Sequence, residues 1–118
     1  PVIDHEGEKR QSWIKQLQDI IRQNLANEAF SIYVLADMVN LSERNLQRRL
    51  KAYTGLTPTQ FINEVRLQVA YELFQQKPQM QVKQVAYAVG YQKASYFTKL
   101  YRERFGVYPG TNSAQGDF

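Results

Sequence analysis

The stretch IYVLADMVNLSERNLQRRL, residues 32–50, decides the fold, because its pattern returns in VKQVAYAVGYQKASYFTKL, residues 82–100. Ile32, Leu35, Ala36 and Val39 stand at i, i+3, i+4 and i+7, and Val82, Val85, Ala86 and Val89 repeat them at an offset of 50. That spacing places four apolar side chains on one helix face, so each copy predicts a short helix with a single buried stripe. Beyond each stripe comes a polar trio, Arg44, Gln47 and Arg48 in the first copy and Ser95, Thr98 and Lys99 in the second, now at an offset of 51. Residues at i, i+3 and i+4 share a helix face. The additional residue is therefore expected in the turn between the two helices. A short helix, a tight turn and a polar-faced second helix, made twice, describe paired helix-turn-helix units whose second helix suits a DNA major groove.

Local signals mark out the other elements. Trp13, Ile14, Leu17, Ile20, Ile21 and Leu25 recur at helical period and predict a first helix from about Lys9 to Ala26. Ser31 and Ser42 are N-cap candidates for the helices that follow, and Asn40 and Gly90 suit the left-handed turn between them. In the third helix Leu46, Leu50 and Tyr53 are expected to face inward, with Gly55 ending it. Thr57-Pro58-Thr59-Gln60 combines an N-cap Thr, Pro at N1 and Gln at N3, which starts a connector helix. Phe61, Ile62, Val65, Val69, Ala70, Leu73 and Phe74 carry its apolar face until the approach to Pro78. Nineteen residues from Pro58 to Gln76 make a rod of roughly 28 Å at ~1.5 Å each. That is near the ~34 Å repeat between successive major-groove faces on one side of a duplex. Phe97, Tyr101 and Phe105 are expected to face inward on the last reading helix, which Gly106 closes.

The predicted architecture is all-α, with six to seven helices in two homeodomain-like helix-turn-helix subdomains joined by the connector. Its expected divisions are a linker remnant at 1–9, a first subdomain at 10–57, the connector at 58–77, a second subdomain at 78–109 and a frayed tail at 110–118. Because the chain begins with Pro1, it is read as part of a longer protein.

Composition agrees with a small folded binding domain. The chain has 118 residues, 43% of them hydrophobic, and 15 Lys and Arg against 11 Asp and Glu. Placement says more than the net +4: residues 42–53 and 93–105 each carry +3, and the remainder is net negative. Positive charge concentrated on the two proposed groove helices is what a polyanion needs, since phosphate neutralisation supplies most sequence-independent affinity. Cysteine is absent, so no thiolate metal site or disulfide framework is available, and the cytoplasm is the expected compartment. No apolar run approaches the ~20 residues of a membrane helix. His5, the only histidine, lies in the expected linker, so neither a Ser-His nor a His-metal site can be assembled. The six glycines form no phosphate-cradling loop, and no enzyme or cofactor is predicted.

With these residues in hand a family likeness is specific. Ser42 to Pro58 (SERNLQRRLKAYTGLTP), with Phe61 and the Arg66-Leu67, Ala70, Leu73 series, resembles the first half of the AraC/XylS-type DNA-binding domain. Val85-Ala86, Val89-Gly90-Tyr91, Ser95-Tyr96-Phe97, Tyr101, Arg104-Phe105-Gly106 and Pro109 are similar to its second-half signature, so the likeness covers residues 31 to 109. The resemblance implies seven helices, two helix-turn-helix units joined by a long helix, and transcription regulation at promoter DNA. By position it carries base reading onto Arg44, Gln47 and Arg48 in the first unit and Ala94, Ser95, Thr98 and Lys99 in the second. Ser42, Asn45, Arg49, Lys51, Lys93, Arg102 and Arg104 are the expected phosphate contacts. The N-terminal helix and the Phe30-Ser31 junction look most like output domains fused to sensor or receiver modules, including hybrid two-component regulators. RNA polymerase is a further expected partner.

The chain departs from the family pattern at two places. Lys93 replaces an acidic cap at the start of the second reading helix, which forfeits ~1 kcal/mol but adds a cation. Tyr108-Pro109-Gly110-Thr111-Asn112 replaces the usual Ser-Pro followed by an aromatic, where the last helix would begin. Arg66 is read as structural, and the tyrosines as packing residues rather than base-stacking platforms. The expected function is sequence-specific binding of double-stranded DNA in transcription regulation. The competing reading is a basic helical module that binds an acidic protein. RNA is disfavoured because no exposed aromatic platform or glycine-rich clamp is evident.

Overall fold

The computed structural model describes residues 5–110, and the expected features at 1–4 and at 111–118, including most of the tail and any last helix, lie outside them. Six α-helices occur among the described residues: α1 His5–Gln23, α2 Ile32–Met38, α3 Glu43–Thr54, α4 Pro58–Gln76, α5 Val82–Ala88 and α6 Ala94–Phe105. They form two compact units. The first holds the residues up to Asn24 and Ala29–Asn63, and the second holds Leu25–Glu28 and the residues from Glu64 onward. The division falls inside α4, not at its two ends. Phe61 and Ile62 are buried before the dividing point, while Leu67, Ala70 and Phe74 belong to the core of the second unit, so this helix is apolar on more than one side.

In the first unit, Leu17 and Ile21 of α1, Leu35 and Ala36 of α2, and Leu46 and Leu50 of α3 are all buried. Ser31 caps α2, its Oγ accepting from the Val34 amide at 3.3 Å. Tyr53, expected to face inward, is 36% exposed and meets the Trp13 ring edge-on at 5.5 Å. The residues read as linker are a correction from His5 onward. Those five positions form the first turns of α1, where Glu6 and Glu8 interact favourably with the positive end of the helix dipole. The same helix stops earlier than expected. Asn24 donates from its side-chain amide to the Ile20 carbonyl at 2.7 Å and from its backbone to Ile21 at 3.0 Å, which satisfies the last carbonyls.

The second unit is built on Val85, Ala86 and Val89 from the α5 segment and on Phe97 and Tyr101 from α6, packed with Leu67, Ala70 and Phe74 of α4. Phe74 meets Tyr101 edge-on at 5.7 Å. The expected box at the head of α4 is present: the Thr57 amide donates to Gln60 Oε1 at 3.0 Å and the Gln60 amide to Thr57 Oγ1 at 3.2 Å.

Candidate nucleic-acid interface

The two turns that lead into α3 and α6 are built from the same hydrogen bonds. In the first, the Leu41 amide donates to the Ala36 carbonyl at 2.9 Å and Asn40 to Asp37 at 3.1 Å; in the second, Tyr91 donates to Ala86 at 2.9 Å and Gly90 to Tyr87 at 3.1 Å. This is a Schellman ending, which requires a left-handed residue just past the helix. Asn40 supplies it at φ 58° and Gly90 at φ 101°. The turns diverge only afterwards, where the second has one more residue before its helix begins. That is where the change of offset placed it.

Gly90 is needed for space as well as for φ. A Cβ there would lie 2.2 Å from the Leu25 carbonyl oxygen and 3.1 Å from Arg66 Nε, both in the second unit. Arg66 is half-buried, its guanidinium stands 5.6 Å from the Tyr91 ring centroid, and its Nε is buried with no hydrogen-bond partner. Burial lowers its pKa, with the nearby Tyr91 opposing, and burial likewise raises the Tyr91 phenol. The expected structural role of Arg66 is thus a platform under the second turn.

On α3, Leu46 and Leu50 have no exposed surface, and burying them turns Arg44, Gln47 and Arg48 outward; all three are exposed. No carboxylate among the described residues pairs with Arg44 or Arg48. The phosphate candidates of this unit are differently placed. Ser42 caps the helix by accepting from the Asn45 amide at 3.1 Å, which leaves its hydroxyl hydrogen available. Lys51 donates to the Gly55 carbonyl at 3.1 Å, a contact that favours the helix C-terminus. Arg49 lies over the Trp13 ring, 5.1 Å from its centroid.

On α6, Phe97 and Tyr101 are buried, Ser95 and Lys99 are exposed, and Ala94 and Thr98 are half-buried. Ser95, Thr98, Lys99, Arg102, Glu103 and Tyr108 line an open groove of about 470 Å³. The two terminal arginines have separate fates. Arg102 lies 4.5 Å from the Tyr108 ring centroid and donates to its hydroxyl at 2.8 Å, which holds the cation beside the groove. Arg104 donates from Nε to both oxygens of Glu64, at 3.0 and 2.9 Å. That bond, more than the hydrogen bond from Gln68, holds the Glu64 carboxyl below its ordinary value despite partial burial. The sequence does not separate the two arginines, because neither Glu64 nor Tyr108 is a helical neighbour. The one available signal was Tyr108, standing where the family pattern has serine.

Lys93 is the N-cap residue of α6 and makes no side-chain cap bond. Its backbone is already extended, at φ −118° and ψ 118°, which suits a capping serine. Lys93→Ser is expected to raise stability in urea unfolding by about 0.5–1 kcal/mol. The same change is expected to make the salt dependence of duplex binding shallower by ~0.9, the share of one phosphate. A stability gain with unchanged salt dependence would remove Lys93 from the interface.

A family profile described as a helix-turn-helix domain matches residues 35–114. The chain belongs to the AraC-type helix-turn-helix family. Binding DNA in transcription regulation is what membership of the AraC-type family carries. The chain is 31% identical over 96 residues to histidine kinase P4 of Formosa agariphila, covering 81% of this chain and 7% of the kinase. It is 38% identical over 82 residues to the HTH-type transcriptional activator RhaS of Escherichia fergusonii, covering 70% of this chain and 29% of the activator. The chain therefore spans less than a third of either relative. A transcriptional regulator from Chromobacterium violaceum with an AraC-type DNA-binding domain has the same fold with a TM-score of 0.80 at 26% identity, covering 97% of each chain. The all-α fold expected from residues 32–50 and 82–100 thus agrees with this solved AraC-type structure.

Proposed function

We propose that this chain is the sequence-reading output segment of a larger bacterial transcription regulator that acts on promoter DNA in the cytoplasm. Arg44, Gln47 and Arg48 read base edges, and Ala94, Ser95, Thr98 and Lys99 make the shorter contacts of the second unit on the same duplex. The observation that carries this reading is the α3 trio: three polar side chains at i, i+3 and i+4, all exposed, on a helix fixed by Leu46 and Leu50. Arginine suits bidentate pairing with guanine, and glutamine with adenine. Ser42, Asn45, Arg49, Lys93 and Arg102 set the register on the phosphates. Lys51 and Arg104, whose cations are held by Gly55 and Glu64, contribute less.

A sensor or receiver module is proposed for the remainder of the protein. Likeness to one segment of a histidine kinase supports a two-component origin, and likeness to an activator supports activation, for which RNA polymerase is the proposed partner. The test is Arg48→Ala. It is expected to cost about 1–3 kcal/mol on duplexes selected by the wild-type protein and to relax preference at one base position. Unchanged affinity and unchanged site preference would defeat the base-reading assignment.

A further inference from the structure

In the first unit, two arginines and two rings form a ladder that links α1 to α3. Arg10 stands 5.2 Å from the Tyr53 ring centroid, Tyr53 meets Trp13 edge-on at 5.5 Å, and Arg49 stands 5.1 Å from the Trp13 centroid. Rings hold cations by their quadrupole and leave the outward side of each guanidinium free to donate. Neither arginine pairs with a carboxylate among the described residues, and this includes Glu6, one turn before Arg10 on the same helix. Tyr53 also lines an open groove of about 370 Å³ with Leu41, Asn45, Arg48, Arg49 and Ala52. That lining contains no carboxylate. The ring against which Arg10 lies is therefore part of the lining of a groove that also holds Arg48, the proposed base reader, and Arg49.

We propose that Arg10 and Arg49 bind neighbouring backbone phosphates of duplex DNA flanking the bases read by α3, one each, so that α1 is part of the interface. This rests on the DNA reading above and extends it to a helix that had been assigned only a packing role. Each guanidinium is held against a ring without a carboxylate partner, so its N–H groups remain available for charge-assisted hydrogen bonds to an anion. The contact is to phosphate, so it adds affinity without base preference.

The test compares the salt dependence of binding to selected and to mixed-sequence duplexes for the wild type, Arg10→Gln, Lys15→Gln and Arg48→Ala. Arg10 is exposed, so its replacement leaves the core intact. Lys15 is the control: an exposed cation on the same helix, already paired with Asp19 at 3.4 Å. Arg10→Gln is expected to make the slope of log affinity against log salt shallower by about 0.9, equally on selected and mixed duplexes. Lys15→Gln is expected to leave the slope unchanged. An unchanged slope in Arg10→Gln, or an equal change in Lys15→Gln, overturns the α1 site. If either occurs while Arg48→Ala still weakens binding, only this site falls. A wild-type protein that ignores duplex at low salt removes the DNA reading as well.

Discussion

Raising the salt from roughly 50 to 200 mM is expected to weaken duplex binding by about 10³- to 10⁴-fold. Three to four neutralised phosphates per unit make six to eight in all, and each releases about 0.9 counterion, which gives a slope of roughly −5 to −7. The charge for this comes from exposed cations on and around α3 and α6: Arg49, Lys93 and Arg102 on phosphate, and Arg44, Arg48 and Lys99 from within the groove, where they also displace condensed counterions. Not every basic residue counts. Arg104 already has Glu64 at 2.9 Å, so moving it to phosphate exchanges one anion for another. Fluorescence anisotropy across a salt series measures the slope directly. A slope near zero would exclude phosphate contact as the source of affinity, whereas a slope near −3 would mean that only one unit engages.

Gly90→Ala is expected to destabilise the second unit by about 3 kcal/mol. Two penalties combine there. At φ 101° an alanine is strained, at roughly 1–3 kcal/mol for a sparsely populated backbone region. Its Cβ would also lie 2.2 Å from the Leu25 carbonyl oxygen, and backbone cannot swing aside as a side-chain tip does. Overpacking of this kind costs about 1–3 kcal/mol after relaxation. Gly106→Ala separates the penalties, because Gly106 has φ 77° and nothing within 4 Å of an added Cβ. It should cost only about 1–2 kcal/mol. Gly90→Asn should remain costly, although Asn40 occupies the matching place in the first turn, because asparagine relieves φ but not the clash. Urea midpoints for the three variants check the order. Equal losses at Gly90 and Gly106 would show that the close approach to Leu25 has no energetic weight.

Elements defined by local chemistry were legible in the sequence, and those defined by distant partners were not. The repeated stripe at Ile32 and Val82 fixed the all-α, duplicated architecture, since a 3.6-residue period can be read without tertiary contacts. Caps at Ser31, Ser42 and Thr57 act within three or four residues, so they too stood out. The opening turn of α1 escaped because His5 to Glu8 has no apolar periodicity; charge at a helix N-terminus is a weaker signal than a buried stripe. The candidate site divides in the same way. The trio Arg44, Gln47 and Arg48 follows from spacing along one helix, whereas the holding of Arg104 by Glu64 and of Arg10 by Tyr53 depends on helices far apart in the chain. Sequence therefore located the cations, and only coordinates distinguished those already engaged from those available.

The division inside α4 restricts how the contribution of each half can be isolated. Cutting the gene at either end of that rod would strip one piece of Phe61 and Ile62, or the other of Leu67, Ala70 and Phe74, and so expose a greasy wound on a fragment meant to be soluble. Dissection of this protein is better done by silencing surface side chains in the intact polypeptide than by excising its halves.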